Sequence, residues 1–151
     1  WNATVQGKEE YSTTTENSSD ITLPSGRMTI EELTWMLNTL PADVTFVGAD
    51  DKVRFFSEGK ERVFPRTRSI IGRDVSNCHP PKSLSVVEAL VADFKAGRKD
   101  SESFWIQKGT KFILIRYYAV RNEKGEYLGV LESTEEISQL RGLEGQKTLL
   151  D

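Results

Sequence analysis

The sequence has very little of the chemistry that disulfides, metal sites and membrane spans require. Its 151 residues include one cysteine, Cys78, and one histidine, His79. One cysteine cannot form an internal disulfide, which is typical of a reducing compartment. The sequence also lacks the roughly 20 consecutive apolar residues of a membrane helix and the basic and apolar regions of a signal peptide. We therefore expect a cytoplasmic protein with no membrane partner.

Excess charge of one sign is also lacking. The sequence has 20 basic and 23 acidic residues, for a net charge of -3, and the basic residues are dispersed. This balance leaves no positive excess to hold nucleic acid or an anionic membrane. No nucleic-acid partner is therefore expected.

The motifs of common catalytic sites are lacking as well. No glycine spacing matches a phosphate-binding or dinucleotide-binding loop. Cys78 and His79 are neighbours, and neighbouring side chains of an extended segment point to opposite sides, so they are not expected to form a nucleophile pair. The carboxylates lie in short polar runs typical of a solvated surface. We therefore expect that the chain is not an enzyme.

Length and composition indicate one domain with flanking segments. Residues 1–27 include a stretch rich in Ser, Thr and Asn and are predicted to be a flexible polar linker. Residues 28–137 hold the periodic segments and are predicted to be the domain. Residues 138–151 are predicted to be a tail or output helix, interrupted by two glycines. Because the chain begins with Trp1, we expect a fragment whose partners include other domains of a longer protein.

Periodicity in the sequence predicts two main helices and five strands. The first helix follows a capping box of Thr29 and Glu32 and ends before Pro41. The second has one apolar face, starts at Pro81 or a few residues later, and ends at Gly97. The strands are predicted at residues 44–47, 53–57, 103–108, 111–120 and 127–134. Short connections between them favour antiparallel pairing, so we expect an α+β fold.

Three segments carry a resemblance to a known family. They are the opening hairpin "VTFVGADDKVRFFS", the segment "IIGRDV", and the closing hairpin "YAVRNEKGEYLGVLESTEEIS", which is the most specific. Over residues 29–137 the chain resembles a PAS domain. The resemblance implies a PAS-like five-stranded antiparallel sheet flanked by helices, which senses a small molecule or cofactor in a cavity. It also implies signalling to a neighbouring domain, often through dimerisation.

The segment "GRDVSNCHPPKS" narrows the resemblance further. It resembles a PAS subgroup found in bacterial proteins that also carry a hemerythrin-like (HHE) domain. This resemblance implies that the chain is part of a larger bacterial protein.

Candidate ligand contacts begin with His79 and Cys78. Pro80 and Pro81 make the backbone here rigid, which suits either a ligand site or a plain entry to the helix. Imidazole and thiolate are both good iron or zinc ligands, so His79, alone or with Cys78, could bind haem iron or another metal. The alternative is a hydrogen-bonding His79 and a small buried Cys78. The cofactor is therefore unknown, with haem as one possibility.

The strands supply four further candidates for ligand binding: Phe56, Trp105, Arg116 and Tyr118. Aromatic residues on strands either fill a core or contact a ligand. Arg116 is expected opposite Glu132 or Ser133, where it could form a cross-strand ion pair, or could anchor an anionic ligand if it faces the cavity. Tyr118 shares the face of Arg116.

Both faces of the strand at residues 111–120 are largely apolar, so both need a cover. One face can line the core and cavity, and the other needs the helix at residues 29–40 or a second protomer. We expect a homodimer in which this helix and the outer sheet face form the interface, with Trp35 and Met36 as contacts. The alternative is that the helix folds back on its own sheet.

The sequence therefore predicts a PAS-like sensory module that binds a small molecule and signals through a dimer or its flanking helices. The sequence also leaves two alternatives open. One is a structural dimerisation module without a ligand, and the other is a haem- or metal-binding module that uses His79. A packed interior would favour the first, and a visible absorption band would favour the second.

Overall fold

The computed structural model describes residues 20–150, apart from the side chains of residues 77 and 78. Most of the predicted linker therefore lies outside the described residues. The strands are β1 (Asp20–Leu23), β2 (Gly26–Thr29), β3 (Asp43–Gly48), β4 (Val53–Phe56), β5 (Ser101–Lys108), β6 (Lys111–Arg121) and β7 (Tyr127–Glu136). The helices are α1 (Ile30–Thr39) and α2 (Pro81–Ala96), with short 3-10 helices at Arg68–Ile70, Val75–Cys78 and Leu140–Gly142. The chain forms two compact units, which divide after Leu40.

In the first unit, residues 20–27 form regular structure where a flexible linker was predicted. Strands β1 and β2 form an antiparallel hairpin in this segment. Pro24 and Ser25 form the turn, which is followed directly by Gly26, and an ion pair joins Arg27 Nη2 to Asp20 Oδ2 at 2.7 Å. The turn residues and β-branched Ile21 and Thr22 favour a hairpin even in a polar segment, which the Ser, Thr and Asn content concealed.

Helix α1 belongs to the same unit, and its predicted capping box is confirmed. The Glu32 backbone N–H donates to Thr29 Oγ1 at 3.0 Å, and the Thr29 N–H donates to Glu32 Oε1 at 2.9 Å. None of the helix residues is buried. Trp35 and Met36 are exposed, and their role in a dimer stays a prediction.

The second unit contains a five-stranded antiparallel sheet in the order β4-β3-β7-β6-β5. All five predicted strands are confirmed, and so is the α+β fold class. The closing hairpin turns at Gly125, whose φ of 82° is the left-handed conformation that glycine adopts without a steric penalty. Strand β7 lies at the centre of the sheet, between β3 and β6.

Helix α2 packs on one face of this sheet. It begins with Pro81 in its first turn and is followed by Gly97, at a φ of 77°. Leu90 and Phe94 of the helix pack with Val130 of β7 to form a buried cluster, against which Tyr117 and Ala119 of β6 also pack. Because side chains alternate along a strand, the odd-numbered residues of β6 face α2 and the even-numbered ones face away.

The segment after β7 was predicted to be a tail or an output helix, and it contains no α-helix among its described residues. It forms one 3-10 turn at Leu140–Gly142. The guanidinium of Arg141 lies 3.8 Å from the ring centroid of Phe112, a cation-π contact that holds this turn beside β6. The role of residues 138–151 as a signal output stays a prediction.

Candidate functional site

A cavity of about 460 Å³ lies between α2, the sheet and residues 64–66. This volume is in the range of sites that bind small molecules. Most of its wall is apolar, formed by Phe64, Pro65, Pro80, Val86, Val87, Phe104 and Ile115. Five polar side chains complete the wall: Arg66, His79, Ser83, Tyr117 and Glu132. The arrangement suits a mainly apolar molecule with a few polar atoms.

An ion pair between Arg66 and Glu132 forms the main polar feature of the cavity. Arg66 Nη2 lies 3.2 Å from Glu132 Oε1, and each side chain is only 13% exposed. Arg66 Nε also donates to Thr45 Oγ1 at 3.1 Å, and Thr134 Oγ1 donates to Glu132 Oε2 at 3.3 Å. These contacts hold both charged groups in place. Because one group is positive and the other negative, the pair has no net charge.

Tyr117 lies on the α2 face of β6, between this ion pair and Phe104. Its ring meets that of Phe104 edge to face, with centroids 6.0 Å apart. Burial and the negative charge of Glu132 raise the pKa of the Tyr117 phenol well above its usual value. The hydroxyl is therefore a neutral hydrogen-bond donor at physiological pH.

The raised pKa of Tyr117 predicts a loss of stability in alkali. The unfolded chain releases this proton at about pH 10, whereas the folded protein retains it to a higher pH. Stability is therefore full below about pH 10 and falls as the pH rises above that value. Chemical unfolding of the wild type and Tyr117→Phe over this range tests the prediction. A decline of equal slope in both proteins would contradict it.

His79 lies where α2 begins and lines the cavity. Its Nδ1 is 3.2 Å from the carbonyl oxygen of Val75, so a protonated Nδ1 donates there and Nε2 is the remaining ring nitrogen. The side chain also lines a small void of about 20 Å³ that continues toward Phe94 and Val130. The structure therefore gives His79 both a hydrogen bond to the Val75 carbonyl, as in the structural interpretation, and a place in the cavity wall. A ligand contact by His79 stays a prediction.

Haem fits this cavity only in part. His79 Nε2 could serve as an axial ligand. Arg66, the one Arg or Lys among the described residues of the cavity wall, is already paired with Glu132 and offers no free positive charge to the two carboxylates of haem. Among the side chains that the structure describes, which do not include that of Cys78, no group of three or more His, Cys, Asp or Glu could hold a metal ion. Haem or metal binding by His79 stays a prediction.

The structure separates the other predicted site residues. The side chain of Cys78 lies outside the described part of the chain. Phe56 is buried, and the guanidinium of Arg62 lies 5.4 Å from the centroid of its ring, but it does not line the cavity. Trp105, Arg116 and Tyr118 lie on the sheet face opposite α2 and do not line it either. A ligand contact for Cys78 and for the other four residues stays a prediction.

Arg116 lies opposite Ser133, which is one of the two positions expected from the sequence. Its ion pair is with Glu135, the diagonal neighbour, at 3.8 Å. Arg116 Nε is buried and has no hydrogen-bond partner among the described residues. The position of Arg116 therefore fits the cross-strand interpretation, and it is not an anchor in this cavity.

Sequence reasoning missed Arg66, Tyr117 and Glu132 as cavity residues. One signal was present: Glu132 is a carboxylate two residues after Val130, on the same face of β7, at a position that pairs with Tyr117. A charge on the core face of a strand requires a partner. The partner, Arg66, lies 66 residues away in an irregular connection, where no periodicity marks it.

The fold and cavity define a class of protein: a module with an antiparallel sheet, a covering helix and a cavity between them. The model of one family, described as PAS domain, matches residues 33–138. The chain therefore belongs to the PAS domain family.

Solved structures agree with this assignment. The C-terminal domain of a protein from Streptococcus mutans is 33% identical, with a TM-score of 0.77, covering 83% of this chain and 97% of that one. A PAS domain from Colwellia psychrerythraea is 11% identical, with a TM-score of 0.53, covering 73% and 98%. A sensory box sensor histidine kinase from Vibrio cholerae is 13% identical, with a TM-score of 0.50, covering 71% and 90%. The last two likenesses concern the fold.

None of the curated proteins compared with this chain matches it. In the described part of the chain, no helix has the length and apolar character needed to cross a membrane. The resemblance to the subgroup associated with hemerythrin-like domains stays a prediction.

Proposed function

We propose that this chain is a sensory module that binds a neutral, mainly apolar small molecule in the cavity beneath α2. The observation that carries the proposal is the combination of an apolar cavity of about 460 Å³ with a polar end whose charges are already paired. Membership of the PAS family supports a sensory role, as does the likeness of fold to a sensor histidine kinase. The open cavity favours this function over a structural module with a filled core.

The charge of the ligand follows from the paired ends of Arg66 and Glu132. An anion would approach the carboxylate of Glu132, and a cation would approach the guanidinium of Arg66. Either would lose its hydration without gaining a free counter-charge, which is costly in a partly buried site. A neutral group can instead accept from the Tyr117 hydroxyl or use His79 Nε2. The site therefore suits a neutral molecule with one or two hydrogen-bonding atoms.

Transmission of a signal requires that the ligand favour one arrangement of the cavity wall over another. The wall combines α2 with the connection at residues 64–66 and the sheet. A ligand that holds these elements together would shift the sheet and the segments that flank it. In this proposal the chain is a non-enzymatic part of a larger cytoplasmic bacterial protein, and it acts as a homodimer on neighbouring domains.

Three ligands that share one ring and differ in charge test the proposal: benzamide, benzoate and benzylammonium. We expect benzamide to bind with a Kd on the order of 1 mM, as befits so small a molecule. Benzoate and benzylammonium should each bind at least about tenfold more weakly than benzamide, because each brings an uncompensated charge. Chemical-shift titration by NMR gives the affinities. Tightest binding by benzoate would contradict the neutral class and make Arg66 an anion anchor.

A matched pair of variants on α2 locates the binding. Val87→Trp fills the cavity, whereas Ala89→Trp adds the same side chain at an exposed position that does not line it. Benzamide binding should be lost in the first and kept in the second. Equal binding in both would show that the cavity is not the site.

A hemin titration tests the haem alternative. A Soret band that forms in the wild type and is lost in His79→Ala would make the protein a haem sensor instead.

A further inference from the structure

Strand β5 forms an uncovered edge of the sheet. The opposite edge, β4, is covered by residues 72–75: Val53 N–H donates to the Arg73 carbonyl at 2.9 Å, and Gly72 N–H donates to the Val53 carbonyl at 2.7 Å. Among the described residues, nothing pairs in this way with the outer side of β5. Natural edge strands are usually covered, or interrupted by charge, proline or a bulge. An eight-residue open edge therefore needs an explanation.

The register of β5 shows which backbone groups point outward. The Ala119 N–H donates to the Asp100 carbonyl at 2.9 Å, and the pairing with β6 continues without a shift to Lys108. Hydrogen-bonded pairs alternate along an antiparallel ladder, so the even-numbered residues of β5 bond to β6. The odd-numbered residues, with Trp105 at their centre, point their N–H and carbonyl groups away from the sheet.

The side chains of β5 are apolar in its middle and charged only near its ends. Phe104, Trp105 and Ile106 are 38%, 63% and 41% exposed. Glu102 and Lys108 are the only charged residues of the strand. No proline, glycine or central charge interrupts it, so β5 lacks the usual features that prevent one strand from pairing with another.

We infer that β5 pairs with β5 of a second copy of this chain, antiparallel and centred on Trp105. In this register the outward groups of Trp105 meet those of Trp105 of the partner subunit. Glu102 lies opposite Lys108 of the partner subunit, and the reverse pair forms across the twofold axis. Phe104 lies opposite Ile106 of the partner subunit on the α2 face. Both charged residues of the strand thus meet a residue of opposite sign, and its exposed apolar residues meet apolar residues of the partner subunit.

One contact within the single chain must adjust for this pairing. The Glu102 carboxylate accepts from Lys99 Nζ at 2.8 Å and from the backbone N–H of Ser103 at 3.2 Å. The Ser103 N–H is one of the outward groups, so Glu102 covers it when no partner strand is present. Pairing replaces that contact with a strand hydrogen bond and frees one carboxylate oxygen for Lys108 of the partner subunit. The inference does not depend on the proposed ligand.

Exchange of the two charges tests both the interface and its register. Glu102→Lys and Lys108→Glu each place like charges opposite one another in a homodimer, and each should weaken self-association about tenfold or more relative to the wild type. An equimolar mixture of the two variants has every pair complementary again. Sedimentation equilibrium should therefore show monomers of each variant alone and dimers in the mixture.

The control is Glu123→Lys, a charge change in the exposed turn after β6 that should leave self-association unchanged. Trp35→Ala tests the alternative interface at α1 and should also have no effect. A monomeric wild type at high concentration would overturn the inference. So would single variants that dimerise like the wild type, a mixture that stays monomeric, or dissociation caused by Trp35→Ala alone. Thermal unfolding of each variant shows whether it is folded.

Discussion

Phe94→Ala is expected to lower the free energy of unfolding by about 4 kcal/mol, as large-to-small changes of buried aromatic residues do. The Phe94 side chain is fully buried, at 0% exposure, and packs with Leu90 and Val130 between α2 and the sheet. Its removal loses apolar burial and leaves space that the strands cannot close. Urea unfolding followed by circular dichroism measures the loss.

The control for Phe94→Ala is Leu128→Ala, in the same unit. Leu128 is 44% exposed, so its truncation should cost less than about 1 kcal/mol. A loss for Phe94→Ala no larger than this would mean that α2 is not held to the sheet by the buried cluster. The Arg121 guanidinium, which donates to the Phe94 carbonyl at 2.9 Å, stays in place in the variant because the carbonyl belongs to the backbone.

Phe94 and its helix could be predicted because their signals are local. The apolar residues of α2 recur at helical spacing, and Pro81 and Gly97 mark its ends. The strands likewise show in short β-rich runs bounded by turn residues. Their order in the sheet depends on pairing between distant segments, which the local pattern does not specify. The resemblance to PAS domains implied a five-stranded antiparallel sheet without fixing that order.

The candidate site was harder to predict because it depends on which face of the sheet α2 covers. Alternation along β6 shows that Arg116 and Tyr118 share one face and that Ile115 and Tyr117 share the other. Both faces are largely apolar, so the pattern does not select one. The structure selects the face of Tyr117. His79 could be selected from sequence because it is the only histidine and stands at a rigid helix entry, whereas the pairing of distant Arg66 with Glu132 has no sequence signal.

Gly129→Ala is expected to destabilise the protein by about 3 kcal/mol, because overpacking and backbone strain combine at this position. A Cβ on Gly129 would lie 2.2 Å from the Val47 carbonyl oxygen and 2.8 Å from Phe46 Cζ. The first contact is with backbone, so relief requires β3 and β7 to separate. The φ of Gly129 is 154°, which also disfavours alanine. Equilibrium unfolding measures the loss.

Gly142→Ala is the matched control, because a Cβ on Gly142 would have no atom within 4 Å and its φ is not positive. It should change stability by less than about 0.5 kcal/mol.

Gly129→Ala should also affect the candidate ligand site, because Glu132 lies three residues beyond Gly129 on β7. A displaced β7 would move Glu132 away from Arg66 and expose an unpaired charge to the cavity. We therefore expect Gly129→Ala to weaken benzamide binding even where the protein is folded, and Gly142→Ala to leave it unchanged. Undiminished binding in folded Gly129→Ala would mean that the ion pair does not define the polar end of the ligand site.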